Sequence, residues 1–371
     1  MKKSNLYIGI LSGTSMDSID CGIFKFSEKS CESVAFYEEK YPEIIKRVLE
    51  ENNKNLIQNY ETSSLNKEIS NEFSKVVNNT LKSSNISPSD ISAIGMHGQT
   101  ISHKITSKGN SSIQLGCPIT LSRKTSISVV SDFRQTDINN GGQGAPLAPI
   151  FHQLMVSQKK IILPVCVLNI GGISNITVIK EPVGSFEIYS KDIGPGNCLI
   201  DTWIRKNSKK KYDEKGKLAF IGKKNEIILE QAQELYSNRI NKEKLSYDIN
   251  DFDISFARGL SLEDGAATLT EFTANIIGDS INQTMKNLNF DVKNILICGG
   301  GRKNNFLIEK IKESLGKELK INLIDKFEVD GDFIESQAFA FLAIRSLKNL
   351  PISFPKTTGC RKPCIGGELI D

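Results

Sequence analysis

Three places in this chain set glycine or small hydroxylated residues at the end of an apolar run, where backbone amides can close on an anion. The first is Gly13-Thr14-Ser15-Met16-Asp17, which follows the apolar residues 6–11 and leads into a second β-patterned run at 20–26. A Walker loop would run from strand to helix and carry a Gly-Lys-Ser/Thr ending. No lysine stands here, and the exit is patterned as a strand. Hydroxyls, a carboxylate and a glycine at the tip of a hairpin suit a phosphate clamp. Taken alone, such a turn as often only reverses the chain.

The second place repeats the design. Residues 165–170 form an apolar run, Gly171-Gly172 the turn, and residues 173–179 a β-branched run carrying Ser174 and Asn175. In the third, residues 294–298 open onto Gly299-Gly300-Gly301 and then a helical stretch at 304–315. Glycines there let the backbone approach a flat ring system closely. Two similar hairpins half a chain apart imply two related lobes, with a triphosphate and its cation between them. That is the plan of the actin, hexokinase and Hsp70 class of ATPases.

Other residues belong to chemistry rather than scaffold. Asp192, in Ser190-Lys191-Asp192-Ile193-Gly194-Pro195-Gly196-Asn197, stands before a helix expected from Cys198 to Lys206. Asn197 is the better N-cap of that helix. Asp192 is left projecting from a strand end as a partly exposed carboxylate, the form a general base for water or a sugar hydroxyl takes. Arg134, between Asp132 and Asp137 and ahead of Gly141-Gly142-Gln143-Gly144, suits the grip of a carboxylate. Lone arginines on a surface more often make an ordinary ion pair. His97, Gln99 and Thr100 sit beside glycines at an expected strand-end turn.

The elements that position these groups are legible as periodicity. Residues 60–81 place Leu65, Ile69, Phe73, Val76, Val77 and Thr80 on one helical face. Residues 260–287 read as a long helix that Gly278 weakens. Residues 335–347 are apolar nearly all round, which suggests a helix buried between the lobes. Strands alternating with helices give an α/β class. The expected division is a first lobe of residues 1–130 plus 346–371 and a second of 131–345.

With 371 residues, the chain can build two cores. Its 47 basic and 43 acidic residues nearly balance, so nothing marks a nucleic-acid surface. The apolar run at 6–11 is too short for a signal peptide, and no run approaches a membrane span. Eight scattered cysteines without Cys-x-x-Cys, beside three histidines, argue against zinc and for a reducing cytoplasm.

Together these motifs resemble the anhydro-N-acetylmuramic acid kinase family of the sugar kinase/Hsp70/actin superfamily. The matching residues are 12–17, 95–100, 132–134, 141–147, 168–175, 192–197, 298–301, 335–340 and 355–359, in order over essentially the whole chain. The resemblance implies a two-lobed actin-like ATPase fold with a central cleft. It implies conversion of 1,6-anhydro-N-acetylmuramic acid, ATP and water to N-acetylmuramic acid 6-phosphate in peptidoglycan recycling. Asp192 would take a proton from water at the anomeric carbon. Gly13, Thr14, Ser15, Met16, Asp17, Ser18, Ile19 and Asp20 would hold the phosphates with Gly171 and Gly172, and Gly299, Gly300 and Gly301 the nucleoside. Mg²⁺ would sit near Asp17 or Asp20 through water. Arg134, His97 and Glu335 would line the sugar.

Two positions depart from the family pattern. Ser18 replaces a common glycine, and Ile138-Asn139-Asn140 replace small residues. A Cβ at Ser18 would crowd the loop if that position needs positive φ. The sequence leaves open a homodimer, another small-molecule kinase of the superfamily, and a nucleotide-binding actin-like module without turnover.

Overall fold

The computed structural model describes residues 5–13, 18–51, 64–106, 109–181, 187–239, 246–290, 292–316 and 318–371. The expected phosphate-binding residues Thr14, Ser15, Met16 and Asp17 lie outside these. The described strands are, in chain order, β1 (Leu6–Ser12), β2 (Ser18–Phe26), β3 (Cys31–Lys40), β4 (Ile91–Thr106), β5 (Gly109–Leu115), β6 (Val129–Ser131), β7 (Val165–Ile170), β8 (Ile173–Ile179), β9 (Ile188–Pro195), β10 (Asn294–Cys298), β11 (Lys320–Leu323) and β12 (Glu368–Ile370).

The chain forms two compact units, Met1–Ile161 with Pro182–Ile188 and Phe333–Asp371, and Ile162–Glu181 with Tyr189–Asp332. The boundaries fall later than residue 130 and earlier than residue 346 for a topological reason. Strand β6 pairs with both β4 and β12, which keeps residues 129–131 and the chain just after them on the first sheet. The helix Ile334–Leu347 packs on β1 and β4 of that same sheet.

The first sheet runs β12-β6-β4-β1-β2-β3, with β5 added to β4 as a hairpin. Gly22, Gly9 and Gly95 stand side by side across β2, β1 and β4. A Cβ on Gly9 would run into the Ser336 carbonyl, and one on Gly95 into that of Phe339. Gly9 and Gly95 therefore let the helix Ile334–Leu347 lie directly on the backbone of β1 and β4, while Gly22 is covered by the ring of Phe24. On the other face the helix Ser64–Ser84 buries Leu65, Ile69, Phe73, Val76, Val77 and Thr80, the face its periodicity foretold.

The second unit carries a sheet of order β11-β10-β7-β8-β9, in which β10 runs parallel to both β7 and β11. The helix Leu262–Leu288 is continuous through Gly278. A side chain at Gly278 would strike Ser314 on the helix Asn305–Leu315, so the glycine serves close helix packing and costs only some propensity. Both units are α/β, as the sequence implies.

Candidate active site

In the first unit, the run from Gly95 to His103 continues as strand instead of turning, because β4 extends into the β4–β5 hairpin. His97 occupies a bulge in it: Ile10 pairs with Met96 and Leu11 with Gly98, so β4 carries one extra residue against β1. A bulge re-aims the side chain it carries. His97 thereby meets Arg134, whose Nε donates to His97 Nε2 at 2.8 Å. Arginine can only donate, so Nε2 is the acceptor and the neutral ring carries its proton on Nδ1. Burial, and then the charge of Arg134, holds the His97 pKa well below the ordinary histidine value.

Arg134 sits in the short helix Phe133–Asn139. Its Nη1 donates to the Gly144 carbonyl at 3.2 Å, so the guanidinium is fixed on two sides. Gln99, fully buried, donates through Nε2 to the Gly13 carbonyl at 3.2 Å and so ties β4 to the mouth of the first hairpin. Ser18 lies in β2, paired with Lys40, where its backbone is extended and its Cβ is accommodated. Its hydroxyl donates to Asp20 Oδ1 at 3.1 Å. Ile19 is part of the buried core of this unit. Glu335 is exposed in the first turn of the helix Ile334–Leu347. The Ile138 side chain underlies Gly144, and Asn140 donates to the Lys362 carbonyl at 3.0 Å, so both departures from the family pattern have a place in the fold.

In the second unit, Asp192 lies inside β9 and is buried, 7% exposed, where the sequence suggested a partly exposed strand end. Its Oδ2 accepts the backbone N–H of Tyr247 at 2.8 Å, a partner 55 residues on that no local pattern reveals. The Tyr247 phenol is pushed up to about 12, by burial first and then by the charge of Asp192.

Beyond Asp192 the chain turns back over the second glycine hairpin. Gly196 N–H donates to the Gly172 carbonyl at 2.9 Å and Asn197 N–H to that of Gly171 at 2.8 Å. The Ser174 hydroxyl donates to the Pro195 carbonyl at 3.2 Å. Asn197 takes the N-cap position of the helix Cys198–Asn207 but makes no side-chain cap bond. Gly299 and Gly301 pack against Asn169 and Ile170 at the end of β7, while a Cβ on Gly300 would meet nothing within 4 Å. Arg302, 5% exposed, holds this glycine turn: it donates to the Gly299 carbonyl at 3.2 Å, to Asp325 at 2.8 and 3.0 Å, and to Asp332 at 2.6 Å.

Within one unit the fold thus joins His97 to Arg134. Within the other it brings Gly171, Gly172 and the segment after Asp192 together, and seats Gly301 on the end of β7. A family profile described as "Anhydro-N-acetylmuramic acid kinase" matches residues 5–371.

The chain belongs to the anhydro-N-acetylmuramic acid kinase family.

A relative of that name from Pelagibacter ubique (strain HTCC1062) is 44% identical over 380 residues, covering 100% of this chain and 99% of its own. Another, from Zymomonas mobilis subsp. mobilis, is 34% identical over 379 residues, covering 98% and 99%. Among solved structures, a ROK family glucokinase from Streptomyces griseus in complex with glucose and AMPPNP is similar at a TM-score of 0.44 and 11% identity, covering 91% of this chain and 98% of that one. No helix among the described residues is long and apolar enough to cross a membrane.

Proposed function

We propose that this member of the anhydro-N-acetylmuramic acid kinase family uses ATP and water to turn 1,6-anhydro-N-acetylmuramic acid into N-acetylmuramic acid 6-phosphate, in the cytoplasm, as a step of peptidoglycan recycling. Asp192 carries the reading. It is a carboxylate anchored by a backbone amide, on the strand whose continuation closes over the Gly171-Gly172 hairpin. Fixing a carboxylate in this way is what a general base requires.

In this reading Asp192 accepts a proton from a water that attacks the anomeric carbon. The bond from that carbon to the bridging oxygen breaks, and the freed oxygen on carbon 6 attacks the γ-phosphorus of ATP with ADP as leaving group. Arg134 pairs with the lactyl carboxylate, and neutral His97 and Glu335 line the sugar. Residues 13–18, at the entry to β2, and the Gly171-Gly172 hairpin take the phosphates, while Ile19 and Asp20 are held in β2 between β1 and β3 and Gly299, Gly300 and Gly301 face the nucleoside. No group of three metal-binding side chains occurs among the described residues. A Mg²⁺ carried by phosphates and water would have Asp20, which accepts from the Ser18 hydroxyl, and Asp17 as outer partners.

The deciding experiment is phosphoryl transfer from ATP to the anhydro sugar, to N-acetylmuramic acid and to glucose. Transfer confined to the anhydro sugar supports the reading. Faster transfer to glucose would make the chain a different sugar kinase, and no transfer to any of the three would leave nucleotide binding alone.

A further inference from the structure

A fully buried carboxylate, Asp137, lies one helical turn after Arg134 and takes no part in the chemistry above. Among the described residues, its hydrogen-bond partners are three neutral donors. The Gly144 N–H donates to Oδ2 at 2.8 Å, the Thr358 hydroxyl to Oδ1 at 2.6 Å, and the Ser353 hydroxyl to Oδ1 as well. Burying a carboxylate without a cation is costly, and an amide of the same shape would satisfy the two hydroxyls. What an amide cannot do is accept on both sides: with its oxygen toward the hydroxyls, its NH₂ faces the Gly144 N–H.

The loop that follows depends on this acceptor. Gly142 N–H donates to the Asp137 carbonyl at 2.9 Å, and the Asp137 carboxylate leaves no room for a Cβ on Gly142. Farther out, Asn110 donates to the Gly142 carbonyl at 3.0 Å and Gln143 N–H to the Thr358 carbonyl at 2.8 Å. Gly144, at φ +77°, then presents its two backbone groups to two side chains of one helix: N–H to Asp137 and C=O to Arg134.

We propose that Asp137 is a positioning residue for substrate binding, acting through Gly144 to fix the guanidinium of Arg134. The proposal rests on the reading of Arg134 as the partner of the sugar carboxylate. Asp137 stays out of contact with the substrate, and its carboxylate sets the loop on which Arg134 leans.

The test uses the full chain carrying Asp137→Asn, Arg134→Ala and both together, with KM for sugar and for ATP, kcat, and the ¹⁵N shift of His97 Nε2. A misplaced charged hydrogen bond predicts a sugar KM raised about tenfold in Asp137→Asn, with the ATP KM unchanged. It also predicts no further rise when Asp137→Asn is added to Arg134→Ala, and a His97 Nε2 shift moved away from the hydrogen-bonded value. Additive effects, an unchanged sugar KM in a folded Asp137→Asn protein, or equal losses toward both substrates overturn the proposal. If Asp137→Asn does not fold, Thr358→Val loosens the same carboxylate and must raise the sugar KM severalfold, again only when Arg134 is present. If Arg134→Ala itself leaves the sugar KM unchanged, the reading of Arg134 falls and this proposal with it. If Arg134→Ala raises it and Asp137→Asn does not, only this proposal falls.

Discussion

Arg134 Nε donates to Nε2 of His97 at 2.8 Å, across 37 residues of chain. The contact fixes both partners: the imidazole keeps its proton on Nδ1, and the guanidinium cannot swing away from the Gly144 carbonyl.

Arg134→Ala should raise the sugar KM about ten- to a hundredfold, the effect of losing a charged hydrogen bond of about 1.5–3 kcal/mol, with kcat changing less. Steady-state kinetics checks this. The same variant removes the charge that depresses His97 after burial, so the His97 pKa should rise while staying below the ordinary value. Proton NMR titration of the imidazole reads it, and an unmoved pKa would mean that burial alone holds it down.

Asp192→Asn keeps the size of the side chain and its acceptor toward Tyr247 N–H, so it should fold and bind ATP. Turnover should fall about a hundredfold to ten-thousandfold, the range for losing a general base. In ¹⁸O-labelled water the native enzyme should put the label on the anomeric hydroxyl. Label in the phosphate would place the attack of water at phosphorus instead.

Gly9→Ala and Gly95→Ala should each destabilise the first unit by about 1–3 kcal/mol, since the new methyl group collides with the helix Ile334–Leu347. Gly300→Ala, which meets no atom within 4 Å, serves as the neutral control. Urea unfolding curves compare the three.

His152, 2% exposed, is pushed down to about 4 by burial. The unfolded chain binds a proton at this residue below about pH 6.5, and the folded chain does not until about pH 4. The contribution to stability is therefore complete above about pH 6.5 and is lost progressively as the pH falls through that window. At pH 5 the loss from this residue is about 2 kcal/mol relative to pH 7. His152→Gln should shrink the difference between the unfolding free energies at pH 7 and pH 5, read from urea curves, by that amount, and an unchanged difference would assign the acid sensitivity to other groups.

The sequence by itself determined the strands that end in glycine, the helix faces and the α/β class, because each is a property of neighbouring residues: periodicity, turn chemistry and β-branching act over a few positions. It also marked Arg134, His97 and Asp192 by type and setting. Only the tertiary structure decided how they are held. The bulge that turns His97 toward Arg134 arises from pairing of β4 with β1, and the amide that anchors Asp192 comes from Tyr247. The carboxylate of Asp137 is buried by Ser353 and Thr358, which lie more than two hundred residues away. The helix Ile334–Leu347, apolar nearly all round, could have been buried in more than one place, and Gly9 and Gly95, adjacent across β1 and β4, let it settle on the first sheet. Backbone donors leave no trace in side-chain pattern, and a glycine shows where a backbone can approach closely but not which segment approaches it, so hydrogen bonds and packing between distant segments become legible only once the chain has folded.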